Sequence, residues 1–209
     1  MFFIMSKMNP TRARRAVFLD RDGVVNVFPG PGQFVLSREM FRFMPGVAEA
    51  IARLRRHGFF IALITNQSGV GRGLMPLSAL HDIHDVMQQQ LGEHAFEAIY
   101  YCPHHPDDNC GCRKPSPAMI QQACREHGLD PAASFVVGDS GRDIEMGRAA
   151  GCRTILCREA LPKPGALKPQ YVPNHFSLDL GSAADWILSV CDAPLPKEAS
   201  PPNVEVLRT

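Results

Sequence analysis

Residues 16–23 read AVFLDRDG, and this stretch sets the pattern for much of the chain. The apolar run that opens it is typical of a buried strand, and Asp20, Asp22 and Gly23 follow at once. Aspartate and glycine favour turns, so the strand is predicted to end where the chain leaves the interior. The stretch therefore predicts a buried strand, over 16–20, with two carboxylates at its exit.

Apolar runs of this kind alternate with segments of helical spacing along the chain. The further predicted strands are 59–65, 98–102, 134–139 and 153–157. The predicted helices are 45–58, 77–92, 116–128, 142–150 and 182–188. Ser78 and Ser116 are the expected N-caps, and Gly128 is the expected end of the helix that begins near 116. Strands that alternate with helices and are apolar throughout predict an α/β fold, a parallel sheet covered by helices on both faces.

Length and composition bound the organisation of the chain. Its 209 residues suit a single domain, which we place at 16–190, with a flexible N-terminus at 1–15 and a disordered Pro-rich tail at 191–209. A net charge of +1 argues against a nucleic-acid partner or an anionic membrane surface. No apolar run approaches the roughly 18 residues of a membrane span, and the start lacks a secretory signal. We expect a cytoplasmic monomer.

Polar residues follow four of the five predicted strands, and ligands of parallel sheets bind at that edge. The residues in question are Asp20, Asp22, Thr65, Asn66, Gln67, Ser68, Lys114, Asp139 and Asp143. Mg²⁺ prefers oxygen ligands, which Asp20, Asp139 and the backbone carbonyl of Asp22 could supply. A carboxylate can attack phosphorus, a second can act as acid and base, and Thr65 and Lys114 can hold the transferred group. The set therefore predicts phosphoryl transfer.

Each motif alone has a less specific interpretation. Asp-x-Asp-Gly is often only a turn. A calcium-binding EF-hand is excluded, because Pro31 stands where that loop needs a bidentate glutamate. The run GVGRG at 69–73 lacks both the phosphate-binding P-loop ending and the spacing of a dinucleotide fold. It is the order of the motifs, each at a predicted strand end, that favours function.

The segments FLDRDG (18–23), ITNQSGVGRG (64–73), CRKP (112–115) and VGDSGRDI (137–144) resemble, in order, the four motifs of the haloacid dehalogenase (HAD) superfamily of phosphatases. They are most similar to its heptose-bisphosphate and histidinol-phosphate phosphatases. The resemblance implies a Rossmann-like parallel sheet without a large cap. It implies the following roles: Asp20 as nucleophile, Asp22 as general acid/base, Thr65 and Lys114 as phosphoryl-stabilising groups, and Asn66, Gln67, Ser68 and Arg113 as substrate-binding residues. It further implies that Asp20, Asp22 and Asp139 hold Mg²⁺, with Asp143 orienting Lys114 or a metal-bound water.

A cysteine-rich loop at 102–112 precedes Arg113 and Lys114 and needs its own explanation. Its ligand types predict a closed tetrahedral site for structural Zn²⁺, formed by Cys102, His104, Cys110 and Cys112. A disulfide is disfavoured by the short spacing and by a reducing compartment, and chance is the other alternative. His105 is the rival ligand to His104. The metal would pin the loop that delivers Arg113 and Lys114.

The resemblance predicts a small phosphorylated substrate. We favour D-glycero-D-manno-heptose 1,7-bisphosphate, a lipopolysaccharide precursor, hydrolysed at C7 with Arg113 contacting a second anionic group. Histidinol phosphate is the alternative substrate, and a zinc-dependent nucleic-acid-binding module is the alternative from another class. Without a large cap, selectivity would come from the zinc loop and from residues 27–37. Within these, VFPGPGQFV (27–35) departs from the His/Tyr-containing stretch of many heptose enzymes.

Overall fold

A computed structural model describes residues 14–160 and 167–192 of the chain. The predicted flexible N-terminus and the predicted Pro-rich tail lie almost wholly outside these residues. None of the helices within the described ranges combines the length and the apolar character that a bilayer crossing requires.

The centre of the fold is one sheet of six parallel strands, ordered β3-β2-β1-β4-β5-β6. Their bounds are β1 Ala16–Leu19, β2 Phe60–Asn66, β3 Ala98–Cys102, β4 Phe135–Gly138, β5 Arg153–Cys157 and β6 His175–Ser177. Leu19 is in register with Leu63 on one side and Val137 on the other. The carboxyl ends of the three central strands therefore meet at one edge. All five predicted strands are confirmed; β6 escaped prediction because its three residues are too few for a periodic signal.

Helices cover both faces of the sheet, as predicted. Their bounds are α1 Val47–Arg56, α2 Ser68–Gly71, α3 Leu77–Leu91, α4 Ala118–His127, α5 Gly141–Ala149 and α6 Leu180–Asp192. Alternate residues of β1 face opposite sides, so Val17 and Leu19 pack in one core and Ala16 and Phe18 in the other. The first core includes residues of α1, α3 and α6, and the second includes residues of α4 and α5.

The predicted helix caps are partly wrong. Helix α3 begins at Leu77 with Pro76 in the cap position, so Ser78 already lies in the first turn and does not cap. Helix α4 begins at Ala118, with Pro117 in the cap position, one residue later than expected. The hydroxyl of Ser116 nevertheless accepts a hydrogen bond from the Ala118 N–H at 3.3 Å. Gly128 ends α4 as predicted, with a φ of +62° that a glycine tolerates best.

Candidate active site and metal centres

The carboxyl edge of the sheet opens into a cleft of about 490 Å³. Most of the predicted site residues line it, namely Asp20, Asp22, Thr65, Asn66, Ser68, Arg113, Lys114 and Asp139. Gln67 and Asp143 are buried beside it and contact lining residues. The sequence segments that carry these residues are far apart in the chain, and the parallel register of the strands brings them together.

Lys114 lies at the floor of the cleft and is almost completely buried. Its ammonium nitrogen is 2.7 Å from Asp20 Oδ1 and 2.6 Å from Asp143 Oδ1, and it donates a hydrogen bond to the Ile64 carbonyl at 2.9 Å. The backbone of Lys114 is also held, because the Asn66 side chain accepts from its N–H at 3.0 Å and donates to its carbonyl at 3.3 Å. Asn66, predicted to bind substrate, is thus engaged in positioning Lys114.

The carboxylates around Lys114 crowd one another. Burial raises the pKa of Asp20 to about 7; Lys114 opposes this effect, while Asp143 and Asp139 add to it. Burial and Asp143 likewise raise the pKa of Asp139 to about 6, against the opposing charges of Lys114 and Arg158. The pKa of Lys114 rises because its two carboxylate partners outweigh its desolvation. Burial and mutual repulsion therefore raise the pKa values of these carboxylates more than the nearby cations lower them.

Asp22 is held at the side of the cleft by a separate network. Burial alone would raise its pKa, but Arg21, Asn26 and Gln67 hold that pKa below its usual value. The Arg21 guanidinium, itself fully buried, contacts both carboxylate oxygens at 3.0 Å, and the Asn26 amide donates at 3.0 Å. The Gln67 amide donates to Asp22 at 3.0 Å and to the Thr65 hydroxyl at 2.9 Å. Gln67 therefore connects Asp22 with Thr65.

The acidic cluster fits a hard divalent cation. Carboxylate oxygens of Asp20, Asp139 and Asp143 lie within 4.8 Å of one another. Both carboxylate oxygens of Asp143 already have protein partners. One pairs with Lys114, and the other accepts hydrogen bonds from the N–H and hydroxyl of Ser140 at 3.1 and 2.5 Å. Asp20 and Asp139 remain as oxygen donors of the kind that Mg²⁺ binds. The Asp22 carboxylate contacts Arg21 and does not belong to this acidic group.

Gly23 brings the β1 exit against the β4 exit. Its φ of +88° lies in the region that favours glycine. A Cβ at this position would lie 2.7 Å from Asp139 Oδ2, so any larger residue would displace that carboxylate. The glycine of the Asp-x-Asp-Gly motif therefore permits the close approach of the two acidic strand ends.

The four predicted zinc ligands form one compact cluster. Cys102 Sγ lies 3.4 Å from Cys110 Sγ and 3.5 Å from His104 Nδ1, and Cys112 Sγ lies 3.3 Å from His104 Nδ1 and 3.8 Å from Cys110 Sγ. Zn–S bonds of about 2.3 Å imply tetrahedral edges of about 3.8 Å, close to these separations. The sulfurs are too far apart for disulfides, and all seven cysteines are free. The cluster could hold Zn²⁺. His105 instead accepts a hydrogen bond from the Asp107 N–H at 3.3 Å.

The cluster is tied directly to the segment that follows β2. The Gly71 N–H donates to the Pro103 carbonyl at 2.8 Å, and the Gln67 N–H donates to the Cys102 carbonyl at 2.8 Å. A Cβ on Gly71 would lie 2.2 Å from the His105 nitrogen, so the two segments pack backbone to backbone. The cysteine loop therefore supports both Lys114 and the residues around Thr65.

Several cleft residues were missed by the sequence reasoning. Arg158 directly follows β5, and Arg142 stands three residues after Asp139; both line the cleft. Applying the strand-end rule to β5 would have found Arg158. Residues 28–34 also line the cleft, and they belong to the segment 27–37 that the sequence had singled out for selectivity.

Comparison with known proteins places these features among characterised relatives. Residues 111–183 match the family model described as HAD-hydrolase-like. The chain is 36% identical over 195 residues to the D-glycero-beta-D-manno-heptose-1,7-bisphosphate 7-phosphatase of Yersinia pestis, covering 88% of this chain and 95% of that protein. It is 40% identical over 184 residues to the D-glycero-D-manno-heptose-1,7-bisphosphate 7-phosphatase of Chlorobaculum tepidum, covering 81% and 92%.

The fold is also similar to solved structures. The D,D-heptose 1,7-bisphosphate phosphatase from B. bronchiseptica, complexed with magnesium and phosphate, aligns with a TM-score of 0.75 and 38% identity. The alignment covers 84% of this chain and 99% of that one.

Proposed function

Since the chain belongs to the HAD-like phosphatases, we propose that it hydrolyses the C7 phosphate of D-glycero-D-manno-heptose 1,7-bisphosphate through an aspartyl-phosphate on Asp20. The observation that carries this proposal is the pairing of Asp20 with buried Lys114 at the cleft floor, in a chain 36–40% identical to heptose-bisphosphate phosphatases. A partly exposed carboxylate beside a buried cation, at the exit of the central strand, suits attack on an anionic phosphoryl group.

In the first half-reaction an Asp20 oxygen attacks phosphorus and the bond from phosphorus to the sugar oxygen breaks. The Lys114 ammonium, 2.7 Å from Asp20 Oδ1, is placed to contact oxygens of the transferred group. The Thr65 hydroxyl, oriented by Gln67, is a second donor at the same floor. These donors offset the charge that the phosphoryl oxygens carry in the transition state.

Asp22 is the proposed acid and base. It gives a proton to the departing sugar oxygen and then takes one from the water that hydrolyses the aspartyl-phosphate. The ionised state favoured by Arg21 suits the second of these steps. For the first step Asp22 must carry a proton, which its contact with Arg21 opposes because the guanidinium lowers the pKa of Asp22.

Metal ions complete the proposal. Asp20, Asp139 and the Asp22 carbonyl would hold Mg²⁺, and Asp143 would orient Lys114. When bound, Mg²⁺ supplies positive charge that favours the ionised carboxylates and offsets charge on the phosphoryl group. Cys102, His104, Cys110 and Cys112 would hold Zn²⁺ in a structural role, because the four ligands leave no open position.

A substrate panel tests the proposal. Phosphate release is measured with Mg²⁺ for heptose 1,7-bisphosphate, histidinol phosphate and other sugar phosphates. We expect the highest kcat/KM for the heptose bisphosphate. A higher kcat/KM for histidinol phosphate would replace the substrate, and retention on heparin without any phosphate release would instead favour a nucleic-acid-binding module.

The same proposal includes a cytoplasmic monomer. The seven free thiols suit a reducing compartment. Sedimentation of the purified chain tests the monomer, and fractionation of cells tests the location.

A further inference from the structure

The positive charges of the cleft are not all neutralised in the same way. At the floor, Lys114 is matched by Asp20 and Asp143, and Asp22 is matched by Arg21, which lies behind it. Three further cations line the cleft, namely Arg113, Arg142 and Arg158. Among residues 14–160 and 167–192, none of these three forms an ion pair with a carboxylate. The charge of Arg158 lowers the pKa of Asp139 without forming an ion pair with it, so all three guanidiniums can pair with an added anion.

Two of these arginines lie on the β4–β5 side of the cleft. Arg158 directly follows β5 and Arg142 is the second residue of α5, which follows β4. Because β4 lies between β1 and β5 in the sheet, the backbone of Arg158 starts two strands away from Asp20, and its side chain reaches back to the β4 exit at Asp139. Arg113 approaches from the β3 side, where it precedes Lys114.

Arg158 is anchored in a way that leaves its guanidinium available. Its Nε donates to the backbone carbonyl of Asp139 at 2.5 Å, which fixes the side chain over the cleft. The two terminal nitrogens make no hydrogen bond to any described residue, and Arg142 makes none through its side chain either. A planar guanidinium with two free terminal nitrogens can contact a phosphate in a bidentate manner.

We infer that Arg142 and Arg158 form an anion subsite for the phosphate that is not hydrolysed. This inference rests on the proposed function and deepens it, because it assigns the discrimination between a bisphosphate and a monophosphate to the β4–β5 side of the cleft. The subsite holds the far end of the sugar while Asp20 and Lys114 engage the reacting phosphate. Both arginines act as specificity-determining residues and take no part in bond making.

The test compares two substrates in the magnesium-loaded enzyme: heptose 1,7-bisphosphate and the same sugar with a phosphate at C7 only. For Arg142→Gln and Arg158→Gln, we expect kcat/KM for the bisphosphate to fall at least tenfold, mainly through KM. In Arg142→Gln, we expect kcat/KM for the monophosphate to change less than threefold, because the Arg142 side chain makes no hydrogen bond to any described residue. Inhibition by heptose 1-phosphate, which carries only the retained phosphate, should weaken about tenfold in both variants.

Arg125→Gln removes an exposed arginine of α4, outside the cleft lining, and should keep wild-type values for both substrates. Equal losses on the two substrates in Arg142→Gln, or unchanged inhibition by heptose 1-phosphate in both variants, would overturn the subsite while leaving the proposed function intact. If the wild-type enzyme releases phosphate from neither sugar, the proposed function fails and the subsite fails with it.

Discussion

The ammonium nitrogen of Lys114 lies 2.7 Å from Asp20 Oδ1. The backbone of Lys114 is held by Asn66, a β2 residue that lies 48 residues earlier in the chain. Lys114 is 4% exposed and Asp143, its second partner, is 1% exposed. Burying such charges is costly unless they are paired, so each of these groups depends on the others. The position of the proposed nucleophile is thus set by a loop after β3 and by a helix after β4.

Removing the charge of Asp20 should abolish catalysis without unfolding the protein. In Asp20→Asn, Lys114 keeps Asp143 as its partner, so we expect the free energy of unfolding to change by about 1 kcal/mol or less. We expect kcat to fall at least about 10⁴-fold, because an amide cannot form the aspartyl-phosphate. Phosphate release and urea denaturation measure the two effects. Asp82→Asn, at an exposed position on α3, is the control. Turnover within tenfold of wild type would contradict the assignment.

Gly23 and Gly46 form a matched pair for testing the approach of Gly23 to Asp139. Both have positive φ, +88° and +75°, so alanine at either costs about 1–2 kcal/mol of backbone strain. Only at Gly23 would the new Cβ meet Asp139; at Gly46 nothing lies within 4 Å. We expect Gly23→Ala to raise the Mg²⁺ concentration needed for half-maximal activity at least tenfold. Calorimetric titration with Mg²⁺ checks this directly. Equal Mg²⁺ affinity in the two variants would refute the role of Gly23.

Disrupting the cysteine cluster should remove zinc and loosen the loop that carries Lys114. In Cys110→Ser, we expect less zinc per chain by elemental analysis and a loss of several kcal/mol in the free energy of unfolding. The expected accompanying loss of turnover follows from the hydrogen bonds that join this loop to residues 66–71. Cys191→Ser alters a cysteine outside the cluster and should retain zinc and activity. Unchanged zinc content and stability in Cys110→Ser would show that the cluster is not a metal site.

His84 should make the protein sensitive to acid. It is buried, and its Nε2 has no hydrogen-bond partner among the described residues. Burial lowers its pKa from 6.5 to about 3, with Arg21 and His81 adding to the effect and Asp22 opposing it. The unfolded chain therefore binds a proton more readily than the folded chain does. The stability contributed by neutral His84 is present above pH 6.5 and is lost as the pH falls towards 3.

The His84→Phe variant tests this relation. Between pH 7.5 and 5, we expect wild type to lose about 2 kcal/mol more stability than His84→Phe, as measured by urea denaturation. His57→Phe replaces an exposed histidine and should lose as much as wild type. Identical pH profiles for wild type and His84→Phe would contradict the prediction.

Local patterns were sufficient where a few neighbouring residues decide the outcome. The strand at 16–20 and the helix stop at Gly128 follow from apolar periodicity and from glycine at positive φ. Local patterns failed where two neighbouring residues can take the same helix-cap position, as in α3, where Pro76 and not Ser78 lies at the cap. The strand β6 has three residues and is defined by its pairing with β5, which no local pattern contains.

In the site, too, local sequence patterns predicted some features and could not predict others. The order of the motifs predicted Asp20, Thr65, Lys114 and Asp139 as site residues, because residue type and order along the chain can be read from the sequence. The partners of Lys114 are not local: its ammonium group pairs with Asp143, and Asn66 holds its backbone. Arg158 was missed because the strand-end rule was not applied to β5, whereas its contact with the Asp139 carbonyl is visible only in the structure.

The alternation of strands and helices, the chemical groups after the strands and the cysteine and histidine residues of the 102–112 loop could all be read from the sequence. Which charges pair with one another, and which arginines of the cleft have no ion-pair partner among the described residues, became visible only in the folded protein. Secondary structure follows from interactions between residues near in the chain. Electrostatic pairing depends on distance and burial, which are fixed only when the sheet assembles.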